Sequence, residues 1–583
     1  MPRSILALGL ALFALPAAAQ GTFVSAQSGT WNTSATWTLT AGSDADGLPD
    51  ADDDVTLAAG HTVTLDVAAT VETMTVASGA TLAPSGNVTL TVEGTITNRG
   101  TLQRSAPYSS LWILAKGDVA NYGTWTPWGT NLGGTGPQRL TQGAGAPFQG
   151  DAFDLGPEAR PVAASDLAFS VYWLNLKGRT LEMGPHTLSL GATIYRSVNG
   201  DPGDGGAYGA LRFAGGALYG DPANAPILGR LRVEGTVTLR GTIRLSPSND
   251  RAEDVTFAGD ISIGSPDDRS AVLSANEGCY CAAWPTFEGS LTNYGTISKV
   301  PYSGFGLRIA GDIANYGTWN PEETLLVGST TQTLTQGPGA PFAGNTFEFS
   351  PGASAAARSD LAFTSPVRLR GGTLNVGPHR LSLAGGNNWT SMDGDPGDGG
   401  GSAGGPYGAL TFDGGTLWGD PARPPQLNRL FVQGGVNLKG TVYIAPSNSH
   451  DVDWVRFTGD VAVGSFTDDT AVLTATPGCY CSARPTVEGD LVVTGSLPRV
   501  AYSGFEVTVL GDVVNAGDIS PNSLTVGGRY TAVTGSTLAP YSITIGGALA
   551  SAVTDLADEA TWPVLKDLGE LRVGGLDVSG LVL

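Results

Sequence analysis

The chain is 583 residues long, with 84 Gly and 36 Pro, 14% charged and 41% hydrophobic residues, so turns must be frequent while ample apolar surface remains for a core, which excludes a disordered chain. Acidic residues outnumber basic ones by 53 to 31, and the formal charge of −22 argues against nucleic acid as a partner. Length alone suggests several domains, but repeat architectures escape that rule because each unit packs only on its neighbours.

At the N-terminus Arg3, an apolar run from Ile5 to Leu15 and the small residues Ala17, Ala18 and Ala19 follow the order of a secretory signal peptide. Residues 1–19 are therefore expected to be removed, giving a secreted, extracellular or cell-surface product. No later segment holds the roughly 18 consecutive apolar residues that a membrane span needs.

Residues 20–93 read as an N-terminal cap and the first coils. Val55 and Leu57, then Val88, Leu90 and Val92, alternate with polar residues, the signature of half-buried strands. An open solenoid end exposes unpaired backbone and needs covering. Residues 29–66 supply that cover: Trp31 and Trp37, then Gly47, Pro49, Asp53, Asp54, Val55, Gly60, His61, Val63, Leu65 and Asp66. This order resembles the opening of the eight-glycine extracellular domain family and of bacterial secreted parallel β-helix surface proteins. The resemblance implies a β-helical extracellular module with a structural or polysaccharide-related role, and it carries over no catalytic residue.

Repetition organises the rest. GDVANYGTW from Gly117 returns as GDIANYGTW from Gly311 and, more loosely, as GDVVNAGDI from Gly511. LTQGAGAPF at Leu140 matches LTQGPGAPF at Leu334, GDPGDGG recurs at Gly200 and Gly394, and GCYC at Gly278 and Gly478. These landmarks divide the chain into a first large repeat at 94–288, a second at 289–488 and a partial third at 489–583. The segment from Leu568 resembles the rung from Leu228 yet stops at Leu583, so the chain is expected to be a piece of a longer protein. Within each repeat, phrases such as GTITNRGTL from Gly94 and GSLTNYGTI from Gly289 are strand, turn, strand. Similar strands repeat in one direction without hairpin signals. The expected fold is therefore all-β, a right-handed parallel β-helix (β-solenoid) with an N-terminal cap, and stacked β-sandwich domains are the rival.

Candidate chemistry is sparse. His61, His186 and His379 each precede an alternating strand, His450 lies in a polar loop, and none has a second His at ligand spacing, so packed turn roles are expected. Gly400–Gly404 spells a nucleophile elbow around Ser402, but a glycine-rich loop lacks the strand and helix that motif requires. No catalytic residue is assigned. Calcium favours several hard oxygens on one loop, and the clustered carboxylates Asp44, Asp46 and Asp50, Asp201 and Asp204, and Asp393, Asp395 and Asp398 are its candidate ligands. Asp, Gly and Pro are also ordinary turn formers, so a chain with no cofactor stands beside that reading. Cys279 with Cys281 and Cys479 with Cys481 are candidates for local disulfides, with reduced thiols the alternative. Tyr108, Trp125, Tyr302, Trp319 and Tyr502 recur with the repeat and could form a sugar-stacking stripe, or could equally be core.

The functional expectation is a secreted or cell-surface structural or adhesive scaffold without catalytic activity, its partners extracellular polysaccharide or cell-surface components. The alternative is a polysaccharide-binding or polysaccharide-degrading β-helix protein, lyase-like and calcium-dependent.

Overall fold

The computed structural model describes residues 20–105, 109–191, 196–246, 255–278, 281–384, 391–396, 407–445, 455–478, 480–552, 564–565 and 570–576. The expectations for residues 1–19, Tyr108, Cys279, Asp398, Ser402, His450 and Cys479 lie outside these residues. The chain forms two compact units, Met1–Arg212 and Phe213–Leu583. Each is a parallel β-helix, as the repeats implied. Among the described residues the only helix is the single turn Ser34–Thr36, and no helix is long and apolar enough to cross a membrane.

In the first unit, Thr22–Ser25, Asp54–Leu57, Thr73–Val76, Ile96–Asn98, Val119–Asn121, Pro137–Gln142, Arg160–Ala163 and Thr180–Gly184 stack in parallel. A second ladder runs through Thr62–Leu65, Thr81–Pro84, Thr101–Gln103 and Thr124–Thr126. A third runs through Ala69–Val71, Val88–Val92, Leu111–Ala115 and Gly129–Leu132. Each coil thus gives one strand to each of three faces. In the second unit one unbroken ladder of parallel pairings leads from Gly216–Gly220 to Glu570–Leu576.

The alternation that marks these strands in the sequence is also what fills the core. Along Val436–Ile444, Val436, Leu438, Val442 and Ile444 point inward, while Asn437, Lys439, Thr441 and Tyr443 face outward. Large rings also fill the interior. Trp125, Phe148, Phe153 and Phe169 form one aromatic cluster, and Trp319, Phe342, Phe347 and Phe363 form its copy in the second unit. The turns between strands must pile up as closely as the strands do. A Cβ on Gly317 would lie 2.1 Å from the Gly295 carbonyl oxygen of the coil beneath, which is why the repeated phrase keeps a glycine there.

The first coil is closed by its own chain. Trp37–Ala41 pairs antiparallel with Thr22–Ser25, the strand whose other edge begins the parallel ladder. Trp31 and Trp37 meet edge to face at 4.9 Å, and Trp37 Nε1 donates to the Trp31 carbonyl, so both rings are buried with the indole polar group satisfied. An edge that could recruit another strand is thereby covered.

Candidate functional site

The residues that recur most faithfully lie inside the coils. Asn121 and Asn315 are fully buried. Asn98 Nδ2 donates to Asn121 Oδ1 at 2.8 Å, and Asn121 Nδ2 donates to the Ala146 carbonyl at 2.8 Å. In the second unit Asn293 Nδ2 donates to Asn315 Oδ1 at 2.9 Å, and Asn315 Nδ2 donates to the Ala340 carbonyl at 2.8 Å. Asn515 repeats the motif by donating to the Tyr530 hydroxyl and the Thr537 carbonyl. Gln138 and Gln332 hold turns in the same way, each Nε2 donating to two carbonyls, Ala115 and Gly117 or Ile309 and Gly311. These side chains satisfy turn backbone that stacking has removed from water.

Trp125 and Trp319, placed in the ligand stripe by their recurrence, belong to the core. Each is about 1% exposed, and its Nε1 donates to a buried hydroxyl, Thr130 or Thr324, at 3.0 Å. Neither can stack on a sugar. Tyr302 and Tyr502 are outward, 68% and 66% exposed, and both adopt left-handed backbone angles unusual for a tyrosine.

Of the candidate calcium ligands, Asp44 and Asp50 come together, joined by Asp53, with one oxygen from each within 4.8 Å of the others. These three could hold a hard cation, although their oxygens also serve the loop. Asp44 accepts from the Asp46 and Gly47 amides, and Asp53 accepts from Gly21 at 2.7 Å and Asp50 at 2.8 Å. Burial pushes the Asp53 carboxyl above its ordinary range, and a side-chain hydrogen bond with Asp52 does the same for Asp50. Asp46 is not in the group and accepts from Leu48. Asp201 and Asp204 accept from Gly203 and Gly206 as turn formers do.

Asp393 and Asp395, the other described candidates for calcium, are met by arginines. Arg429 pairs with Asp395, and the charges of Arg429, Arg368 and Arg370 bear on Asp393. Burial still holds the Asp393 carboxyl above its usual range. Two coils before Asp393 the buried Glu348 pairs with Arg370 at 2.7 Å and Arg368 at 3.6 Å. The first unit has a simpler version, in which Asp154 accepts from Asn175 and Lys177, each at 2.7 Å. Motif reading missed this cluster because its partners are adjacent only through stacking. A signal was present, since an acid followed by a base one coil later marks both Glu348 with Arg370 and Asp154 with Lys177.

Cys281 and Cys481 are both disulfide-bonded. His61 Nδ1 lies 2.9 Å from the Ser25 hydroxyl, which also accepts from the Ala58 amide. His186 and His379 close turns through backbone bonds to Met183 and Val376, and their Nδ1 atoms lie 3.7 Å from Asp166 and 3.9 Å from Asp360. Open grooves lie among the described residues. One, of about 280 Å³ in the first unit, is lined by Arg104, Asp151 and Tyr172 among others. Another, of about 630 Å³ in the second unit, is lined by Tyr480, Arg499, Tyr502, Asn522 and Tyr541 with small residues between them.

No protein-family model, curated protein or solved structure matches the chain.

Proposed function

We propose that this protein is a secreted or cell-surface β-solenoid scaffold with an adhesive face and no catalytic activity, exported through residues 1–19 and related to the bacterial β-helix surface proteins its N-terminal segment resembles. The observation that carries this reading is where the duplicated polar residues are spent. Asn121 and Asn315, Gln138 and Gln332, and the indole groups of Trp125 and Trp319 all close hydrogen bonds inside the coils. A duplicated active site would keep its recurring polar groups turned toward a substrate. Selection for repeated interior bonds is selection for a stack of coils.

A second reading, a polysaccharide-degrading protein, is favoured by the convergence of Asp393 and Asp395 with Arg429, where acid and base groups share one turn ladder. One experiment separates the two. The purified mature chain is incubated with acidic and neutral polysaccharides, with and without chelator, and unsaturated and reducing ends are measured. No release is expected, and release would overturn the scaffold reading. Cells lacking the chain should attach less to polysaccharide-coated surfaces, and unchanged attachment would overturn the adhesive part.

A further inference from the structure

We infer that the groove at Arg499, Tyr502 and Tyr541 binds an acidic polysaccharide built of uronic acids. This rests on the adhesive reading and sharpens it by naming the ligand class and the place.

A basic residue opens the same segment in all three repeats: Arg104 ahead of Tyr108, Lys299 ahead of Tyr302 and Arg499 ahead of Tyr502. Twice the base is neutralised or held from within. Arg104 pairs with Asp151 at 3.0 Å, and Lys299 Nζ donates to Asn345 Oδ1 at 2.7 Å. In the third repeat the next coil is four residues shorter, Ser523 pairing with Ser542 where Glu323 pairs with Thr346, so Tyr541 stands at the place of Asn345 and presents a ring where the second repeat has an amide. Arg499 Nη1 accordingly has no hydrogen-bond acceptor among the described residues, and its guanidinium carbon sits 4.2 Å from the centre of the Tyr541 ring. A sheltered cationic donor without an acceptor is a costly arrangement that an incoming carboxylate relieves, and the planar guanidinium suits that group's geometry.

The surroundings fit a sugar. Tyr480 and Tyr502 stand 5.1 Å apart, centre to centre, with interplanar angle 44°, and both are largely exposed. Both residues sit at left-handed φ, 54° and 65°, a conformation that costs energy and turns the rings outward into the groove. Aromatic faces of this kind take the apolar face of a pyranose, while Asn522 adds a polar group. No acidic side chain lines the groove among the described residues. The volume of about 630 Å³ falls in the range of ligand clefts. The chain's formal charge of −22 does not forbid an anion, since charges more than about 8 Å away are largely screened at physiological ionic strength. The corresponding segment of the second repeat differs where it matters, with Glu322 at the place of Asn522 and Asn345 at the place of Tyr541.

The test uses the full mature chain in affinity electrophoresis through gels containing polygalacturonate, alginate, chondroitin sulfate or dextran. Polygalacturonate and alginate should retard the chain, and dextran should not. Arg499→Gln should weaken that retardation at least tenfold, Tyr502→Ala and Tyr541→Ala several-fold, and Lys299→Gln not at all, with unchanged circular dichroism confirming that each variant folds. Equal retardation by dextran, stronger retardation by the sulfated polymer than by both polyuronates, or an unaffected Arg499→Gln would overturn the inference. If no polyuronate binds while cells lacking the chain still lose attachment, the groove is wrong and the adhesive reading survives. If polyuronates bind and are cleaved, the groove stands and the scaffold reading fails.

Discussion

Replacing Asn315 by alanine tests the claim that buried asparagines hold the coils together. Asn315 is fully buried, donates to the Ala340 carbonyl at 2.8 Å, and accepts from Asn293 Nδ2 at 2.9 Å and the Gly317 amide at 3.3 Å. Asn293 keeps its bond to the Thr318 carbonyl at 3.0 Å, so the loss falls mainly on the Ala340 carbonyl and the Gly317 amide. At about 1–3 kcal/mol for each buried group deprived of its partner, the variant should lose about 3 kcal/mol of local stability. Since 1.4 kcal/mol is a factor of about ten, amide exchange in residues 313–320 should accelerate roughly 100-fold. Hydrogen exchange read by mass spectrometry measures this, with residues 119–126 as the internal reference, because solenoid coils couple mainly to their neighbours. The double variant with Asn293→Ala should cost less than the sum of the singles, since their mutual bond is lost only once. Acceleration below about fivefold, or equal acceleration at 119–126, would refute the reasoning.

Gly317→Ala should destabilise its coil by about 1–3 kcal/mol, because the new Cβ collides with the Gly295 carbonyl, whereas Gly136→Ala, with open space around it, should be neutral in thermal melts. Arg370→Ala should cost about 1–3 kcal/mol by stranding the buried Glu348, less than a complete loss because Arg368 remains at 3.6 Å, and limited proteolysis near residues 348–370 should report it. Asp53 binds its proton more tightly folded than unfolded, so its contribution is present in acid and is lost as pH rises through the elevated folded value. Exchange across residues 20–57, corrected for intrinsic rates, should therefore slow as pH falls from neutrality into the carboxylate range, and Asp53→Asn should flatten that dependence.

Much of the fold is legible in the sequence, because the forces that select it are local and repeated. Alternation along 436–444 places every second side chain on one face, and near-copies such as GDVANYGTW and GDIANYGTW can bury that face only on one another, which is parallel stacking. The cap is legible for the same reason, since Trp31 and Trp37 are large rings set beside the first strand of the described residues, where they are buried.

Which way a recurring residue faces was decided only by tertiary register. Trp125 and Trp319 recur as a ligand stripe would, yet a one-residue change of phase separates an outward ring from an inward one, and stacking placed both inward. Stacking also assembled the groups that charge spacing left scattered. It set Glu348 against Arg370 and Asp395 against Arg429, and it left Arg499 facing Tyr541 where the other repeats supply an internal partner. The physical reason is one of distance. Residues a whole coil apart along the chain lie one strand spacing apart in space, about 4.8 Å, so side-chain chemistry here runs across coils while the sequence is written along them.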